Sequence, residues 1–259
     1  MFLAHVPLHH TTHGALNPVV AYALSVLGCL LGLQCAARAR AVTGTAAEAA
    51  WLAGAAVSIG GTGIWAMHFV AMLGFGVDGS PIAYDVPLTL ASAILAIVVV
   101  GAGLALVARD RPIVIGGVLT GGGVAAMHYT GMAAMNTGAT LAYDPALVAA
   151  SMAIAIAAST AALWFATRLT RWRASLAASL VMAAAVTSMH YTGMAALSAD
   201  GPVVPQVEGA DPTLLLLPMV IAGCVITAVL LVAVGGSASP RERTAEADFV
   251  ARLERQMRG

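Results

Sequence analysis

Seven long stretches of the chain contain no charged residue, and they limit what the chain can fold into. Each is at least about 20 residues long, the length that an α-helix needs to cross about 30 Å of hydrocarbon. The stretches predict an all-α integral membrane protein with seven transmembrane helices. They are residues 14–37, 49–77, 86–108, 112–143, 145–167, 174–199 and 212–240.

The composition excludes several other classes of protein. Only 9% of the 259 residues are charged and 60% are hydrophobic, whereas about a quarter of the residues in a soluble chain are charged. The net charge is zero, which argues against a nucleic-acid partner. We find neither a Ser/His/Asp arrangement nor a glycine-rich phosphate loop, so we do not expect an enzyme. Three cysteines without a CxxC pair define no disulfide framework, and we interpret Cys29, Cys35 and Cys224 as packing residues.

The arginines predict how the chain is oriented. All 12 basic residues are arginines, and they fall on one side of the predicted spans, whereas the opposite connections carry only acidic charges. The positive-inside rule therefore places the N-terminus outside and the C-terminus in the cytoplasm. The first dozen residues lack a basic region typical of a signal peptide, so we expect the first helix to be retained. The arginines are Arg38, Arg40, Arg109, Arg111, Arg168, Arg171, Arg173, Arg241, Arg243, Arg252, Arg255 and Arg258.

A short motif recurs three times. Residues 66–72 read Ala-Met-His-Phe-Val-Ala-Met, residues 126–132 read Ala-Met-His-Tyr-Thr-Gly-Met, and residues 188–194 read Ser-Met-His-Tyr-Thr-Gly-Met. Residues 83–87 and 142–145 form a second repeat, in which an Asp N-cap is followed by Pro in the first helical turn. The spacing predicts three parallel two-helix repeats plus one closing helix.

The motifs contain candidate metal ligands. In each copy His and the second Met are four residues apart, on one face of a helix, and the helix order places all three copies near the outer membrane face. Imidazole and thioether ligands favour copper, with haem iron as the second choice, while the lack of carboxylates in the motifs disfavours Mg, Ca or Mn. The alternative is structural: hydrogen bonding across the bundle for His and packing for Met. The candidate ligands are Met67, His68, Met72, Met127, His128, Met132, Met189, His190 and Met194.

Small residues precede each motif by one to two helical turns. We expect helices to approach closely there, which leaves little room for haem. These residues are Gly60, Gly61, Gly63, Gly121, Gly122, Gly123, Ala183, Ala184 and Ala185.

The Met-His-Tyr-Thr sequences at 127–130 and 189–192 resemble the signature of the MHYT domain, a bacterial integral-membrane sensor module. The resemblance covers about residues 17–235. It implies paired helices in the bacterial inner membrane, a copper site built from Met67, His68, Met127, His128, Met189 and His190, and detection of oxygen, carbon monoxide or nitric oxide. Phe69 departs from the pattern, because Tyr129 and Tyr191 occupy this position in the other copies.

The resemblance also bears on partners. Relatives often continue into a cytoplasmic signalling domain, whereas this sequence ends about 20 residues after its last predicted helix. We therefore expect either a separate cytoplasmic signalling protein or a homodimer formed through the tail. The alternative function is copper transport or metal handling.

Three segments are predicted: a His-rich N-terminus (1–16), a membrane domain (17–235) and a cytoplasmic tail (236–259). The tail carries an amphipathic pattern over 244–258 that suits the inner leaflet or a second chain. His5, His9, His10 and His13 form either a metal-collecting arm or a flexible tail. Trp65 is expected in the interfacial aromatic belt or as a shield of the site. Tyr84, Asp85, Tyr143 and Asp144 are interpreted first as helix caps and second as residues that orient His.

Overall fold

The computed structural model describes residues 5–9, 12, 14–201, 203–204, 206–237, 249, 253 and 255–256. In these ranges seven helices are long and apolar enough to cross a membrane, which confirms the predicted fold class. The helices are α1 (Leu16–Arg40), α2 (Ala46–Met72), α3 (Val86–Ala108), α4 (Ile113–Ala133), α5 (Pro145–Arg168), α6 (Trp172–Ala195) and α7 (Pro212–Gly236).

Helices α1 to α6 form a closed ring. Each helix packs on the next one in sequence, and α6 returns to pack on α1. Helix α7 lies outside the ring, against α1 and α2. As a result α2 is almost entirely buried, whereas most of α7 is exposed. The exposed side chains of α7 include Leu214 and Val232, and so apolar a surface is typical of contact with lipid rather than water.

In the described part of the chain, seven short strands lie at the end of the bundle where α2, α4 and α6 finish. They are β1 (His5–Val6), β2 (Leu8–His9), β3 (Gly76–Val77), β4 (Ile82–Tyr84), β5 (Met135–Thr137), β6 (Thr140–Tyr143) and β7 (Leu197–Asp200). Strand β2 pairs antiparallel with β3, β4 with β5, and β6 with β7, while β1 adds to β7.

The strand pairing defines the repeat. Strand β2 precedes α1 and pairs with β3, which follows α2, and the same relation holds for β4 and β5 around α3 and α4, and for β6 and β7 around α5 and α6. The chain is therefore three strand-helix-helix-strand units followed by α7. This arrangement confirms the three parallel two-helix repeats, because every unit begins and ends at the same end of the bundle.

Aspartate caps begin the odd helices of the later units, as the second sequence repeat predicts. Asp85 accepts a hydrogen bond from the backbone N–H of Leu88 at 2.8 Å, and Asp144 accepts one from that of Ala146 at 2.7 Å. A third cap, which the sequence analysis missed, is Asp211, which accepts from the second and third residues of α7. Capping satisfies N–H groups that the first helical turn leaves unpaired.

Glycines set the distance between neighbouring helices. A Cβ on Gly60 would lie 2.6 Å from the backbone oxygen of Ala96 on α3, and Gly121 is packed equally closely against Ile156 on α5. The predicted close approach is therefore made by a motif helix and the odd helix that follows it. Gly122 is different, because a Cβ there would meet nothing within 4 Å.

Helix α2 contains a feature that the sequence analysis did not predict. Residues Val57–Ala66 form π-helical hydrogen bonds, and regular α-helix resumes at Met67. π-Helical segments are rare and frequently lie at functional sites. This one ends two residues before His68, so it lies directly beneath the first motif.

Candidate metal centre

The structure brings the three motif histidines together on the axis of the ring. The chain positions His68 on α2, His128 on α4 and His190 on α6, and each side chain is at most 1% exposed. The three units are parallel, and each histidine lies four or five residues before the end of its helix, so the motifs reach the same depth. Within the described residues these histidines form the one cluster of three or more His, Cys, Asp or Glu side chains suited to a metal ion.

Three Nδ1 atoms converge in this cluster. His68 Nδ1 lies 2.9 Å from His190 Nδ1 and 3.2 Å from His128 Nδ1. The rings meet edge to face, with centroids 4.9 to 5.2 Å apart. A metal bound to three imidazole nitrogens at about 2.0 Å would separate those nitrogens by roughly 3.3–3.5 Å. The observed spacing is therefore close to what a three-histidine site requires.

The protein alone satisfies these imidazoles poorly. A ring nitrogen is either a donor or an acceptor, so His68 Nδ1 cannot donate to one neighbour while accepting from the other. In the described part of the chain, the outer nitrogens His68 Nε2 and His128 Nε2 are buried without a hydrogen-bond partner. Buried polar atoms without partners are uncommon and call for an explanation. A cation between the Nδ1 atoms would accept all three as ligands, which no arrangement of protons on the three rings can satisfy as hydrogen bonds.

Two glycines make room for the rings. A Cβ on Gly131 of α4 would lie 2.6 Å from His68 Nε2, and a Cβ on Gly193 of α6 would be even closer to His128 Nε2. Each of these two imidazoles therefore packs against a glycine of the next motif, three positions after the histidine of that motif. The sequence analysis missed this role, although the glycine is visible in the second and third motifs. The first motif has Ala71 at the equivalent position.

The six methionines of the motifs are all buried, with at most 2% of each side chain exposed. Met67 belongs to a small cluster with Ala21 and Ala71, whereas the other five belong to the main core. They are Met72, Met127, Met132, Met189 and Met194. Their thioethers are thus shielded from water, and any part they take as ligands stays a prediction.

The aromatic neighbours differ between copies. The Tyr129 hydroxyl hydrogen-bonds with Ser151 Oγ on α5 at 2.7 Å, while the Tyr191 hydroxyl is buried with no partner in the described residues. Phe69 instead packs against Trp65 and Tyr84, with ring centroids 5.0 and 5.7 Å away. The hydroxyl that the first copy lacks therefore serves helix packing in only one of the other two copies.

Residues predicted near the site fall in several places. Trp65 is 5% exposed and donates its indole N–H to Ser92 Oγ at 3.0 Å, so its assignment to the interfacial belt is wrong. Asp85 and Asp144 are helix caps. Tyr84 is buried beside Phe69, and this burial raises the pKa of its hydroxyl well above the ordinary value.

His9, the N-terminal histidine whose side chain the structure describes, is not brought to the site. His9 lies in β2, where its Nε2 contacts Asp78 Oδ1 at 2.8 Å on the exposed surface. Residues 5–6 and 8–9 form strands, so His5 and His9 are not on a helix, although their spacing of four would align them on one. His10 and His13 lie outside the described residues, as does most of the tail that is predicted to be amphipathic.

Comparison with known sequences identifies the family. The repeat described as "Bacterial signalling protein N terminal repeat", MHYT, matches residues 61–114, 121–179 and 184–246. These matches cover more than half of the chain. The chain belongs to the MHYT family. Each family match begins in a motif helix and continues through the odd-numbered helix that follows it. The family repeat is therefore offset by about one helix from the strand-helix-helix-strand unit.

Relatives of this MHYT protein are signalling proteins. It is 37% identical over 255 residues to the bifunctional diguanylate cyclase/cyclic di-GMP phosphodiesterase MucR of Pseudomonas aeruginosa, covering 92% of this chain and 36% of MucR. It is 43% identical over 160 residues to the cyclic di-GMP phosphodiesterase NbdA of the same species, covering 57% of this chain and 20% of NbdA. An uncharacterized signaling protein of Caulobacter vibrioides is 32% identical over 209 residues, which are 80% of this chain and 25% of that protein. The MHYT chain thus spans about a third or less of these relatives. No solved structure matches it.

Proposed function

We propose that this MHYT protein is a membrane sensor that holds a copper ion between His68, His128 and His190 and detects a diatomic gas such as oxygen, carbon monoxide or nitric oxide. The observation that carries the proposal is the convergence of three buried Nδ1 atoms, with separations of 2.9 and 3.2 Å for the two pairs that include His68. Copper suits imidazole ligands and, as Cu(I), also the buried thioethers of the motifs. When bound by three protein ligands, it supplies a free coordination position for a small ligand.

The protein's own residues hold and shape this site. With Nδ1 as the ligand atom, each neutral imidazole carries its proton on Nε2, which faces the next motif helix for His68 and His128. The edge-to-face contacts among the rings and the glycines behind them fix the ring orientations. Burial excludes water from the site, which favours an uncharged ligand over a hydrated ion.

The orientation is part of the proposal. We place the arginine-rich end of the bundle in the cytoplasm of a bacterial inner membrane, following the positive-inside rule. The histidine cluster and the strands then lie toward the outer face, and α7 runs from that face to the cytoplasm.

Contacts of α7 suggest how a change at the site could reach the cytoplasm. Thr227 of α7 hydrogen-bonds with Thr62 at 3.0 Å, and Thr62 lies in the π-helical segment that leads to His68. At the C-terminal end of α7, Arg38 donates to the carbonyl of Val234 and to Ser237 Oγ. A shift of α2 would thus change the contacts of α7. We propose that the output partner is a cytoplasmic signalling protein or domain, in keeping with the signalling relatives.

Metal analysis of the full chain purified in detergent tests the proposal. Cells are grown with copper, and bound metal is measured together with absorption spectra before and after carbon monoxide. We expect copper in the wild type and in His9→Ala, which alters an exposed histidine outside the cluster. We expect copper to be lost when His68, His128 and His190 are all changed to Ala, and also in His128→Gln, which preserves much of the side-chain volume.

Several outcomes would contradict the proposal. Copper retained by the triple variant, or no copper in the wild type under copper-replete growth, would exclude the shared site. A Soret band would indicate haem instead. Copper uptake into sealed vesicles containing the protein would favour the alternative function, copper transport.

A further inference from the structure

A cavity lies on the axis of the helix ring. All six ring helices line it, and it offers about 40 Å³ of room to the centres of water-sized spheres. Its lining includes Cys29 of α1, Ile64 of α2, Leu104 of α3, Val124 of α4, Ala158 of α5 and Met189 of α6.

The cavity begins directly inward of the histidine cluster. Met189, in its lining, is the residue before His190, and Val124 and Ile64 each precede their motif histidine by four residues. Four residues correspond to a rise of about 6 Å along a helix. The outer end of the cavity is thus about one helical turn from the three imidazoles, and its lining extends toward the arginine side as far as Ala166.

The walls of the cavity are suited to an apolar occupant. Thr120 and Ser159 are the only hydroxyl-bearing side chains in the lining, and the Thr120 hydroxyl donates to the carbonyl of Val99 at 3.3 Å. A buried water needs two to four polar partners and roughly 10–15 Å³, whereas apolar cavities stay dry and take up xenon. The space is sufficient for a water molecule, but the two hydroxyls are only the minimum number of partners, and that of Thr120 already donates to a carbonyl.

The size of the cavity narrows the choice of ligand. An apolar cavity of about 150 Å³ holds benzene, and this one is far smaller, at about 40 Å³. A molecule of two heavy atoms fits, and an organic ring does not. We propose that the axial cavity binds one small apolar molecule of diatomic size and holds it beside the inner side of the histidine cluster. The identity of that molecule as the sensed gas rests on the proposed function.

Xenon is the probe, because it is apolar, of similar size and independent of any metal. Crystals of the full chain are pressurised with xenon, and the anomalous signal is located. Ala162 lines the cavity, whereas its neighbour Ala161 faces outward. We expect a xenon site in the cavity of the wild type and of Ala161→Leu, and its loss in Ala162→Leu. If Ala162→Leu fails to fold, Ala158→Val is used instead, because it is a smaller change in the same wall. We expect Ala158→Val to reduce xenon occupancy.

The outcomes separate this proposal from the proposed function. Xenon that persists in the cavity when all three histidines are changed to Ala supports the cavity site even if no metal is found. Copper in the cluster without xenon in the cavity refutes the gas site and leaves the copper sensor standing. Ordered water in the cavity, or copper bound there by Cys29 and Met189 sulfur atoms, would also overturn the proposal.

Discussion

Gly131→Ala tests whether the glycine of the second motif positions the imidazole of the first. A Cβ at Gly131 would lie 2.6 Å from His68 Nε2, whereas ordinary van der Waals contacts begin at 3.4 Å. The imidazole or helix α4 must therefore move by the difference, 0.8 Å. Metal–ligand distances tolerate only about 0.2 Å, so a displacement of this size moves His68 away from its best position as a ligand.

The displacement sets the expected loss of copper affinity in Gly131→Ala. Misplacement of one ligand is expected to lower copper affinity by about 10- to 100-fold, the range found when residues that orient a ligand are removed, or roughly 1.4 to 2.7 kcal/mol. Overpacking costs about 1–3 kcal/mol in folding free energy, partly offset by the gain of about 1 kcal/mol when Gly becomes Ala in a helix. Copper binding should therefore change more than stability.

Competition for Cu(I) with a chromogenic chelator measures the affinity, and the ¹⁵N chemical shifts of His68 report its ring environment without metal. Gly122→Ala is the matched control, because it lies on the same helix and its Cβ would meet nothing within 4 Å. We expect Gly122→Ala to bind copper like the wild type. Equal affinities and unchanged His68 shifts in both variants would refute the positioning role of Gly131.

Three further predictions concern packing around the site. Arg38→Ala removes a largely buried guanidinium that donates hydrogen bonds to the C-terminal end of α7. Thermal unfolding in detergent should show that the free energy of unfolding falls by about 3 kcal/mol. An equal loss in Arg109→Ala, which alters an exposed arginine, would contradict this. Tyr129→Phe should lower the free energy of unfolding by about 1 kcal/mol, because the hydrogen bond of its hydroxyl to α5 is lost. Tyr191→Phe should leave it unchanged, because that hydroxyl has no described partner. The reverse order of the two variants in unfolding experiments would refute the packing role of the Tyr129 hydroxyl. Asp144→Ala should cost about 1 kcal/mol by uncapping α5, with copper content unchanged; loss of copper would show that this carboxylate also serves the site.

The candidate ligands could be selected from the sequence because the histidines repeat. Equal spacing along parallel units places His68, His128 and His190 at one depth, whatever the details of helix packing. The contribution of Gly131 could not be predicted in the same way. Its neighbour, His68, is 63 positions away in the sequence, and only the packing of α4 on α2 shows which ring the glycine accommodates.

The aromatic residues show the same limit. Trp65 at a helix end fits an interfacial belt by composition, yet the structure buries it because α2 is enclosed by α1, α3 and α7. Nothing in a charge pattern indicates that one repeat is covered by the closing helix while the others face lipid. The π-helical segment beneath His68 was likewise not predicted from the sequence.

The sequence by itself determined the number of helices, their parallel repeat and the residues that share one end of the bundle. Those properties depend on where charges stop and motifs recur, because hydrocarbon tolerates only uncharged helices of a certain length. The tertiary structure decided that the six helices close into a ring, that three Nδ1 atoms meet on its axis, and that an apolar cavity lies beneath them. These three features depend on the distances at which the helices pack. Side chains that are far apart in the sequence determine those distances jointly.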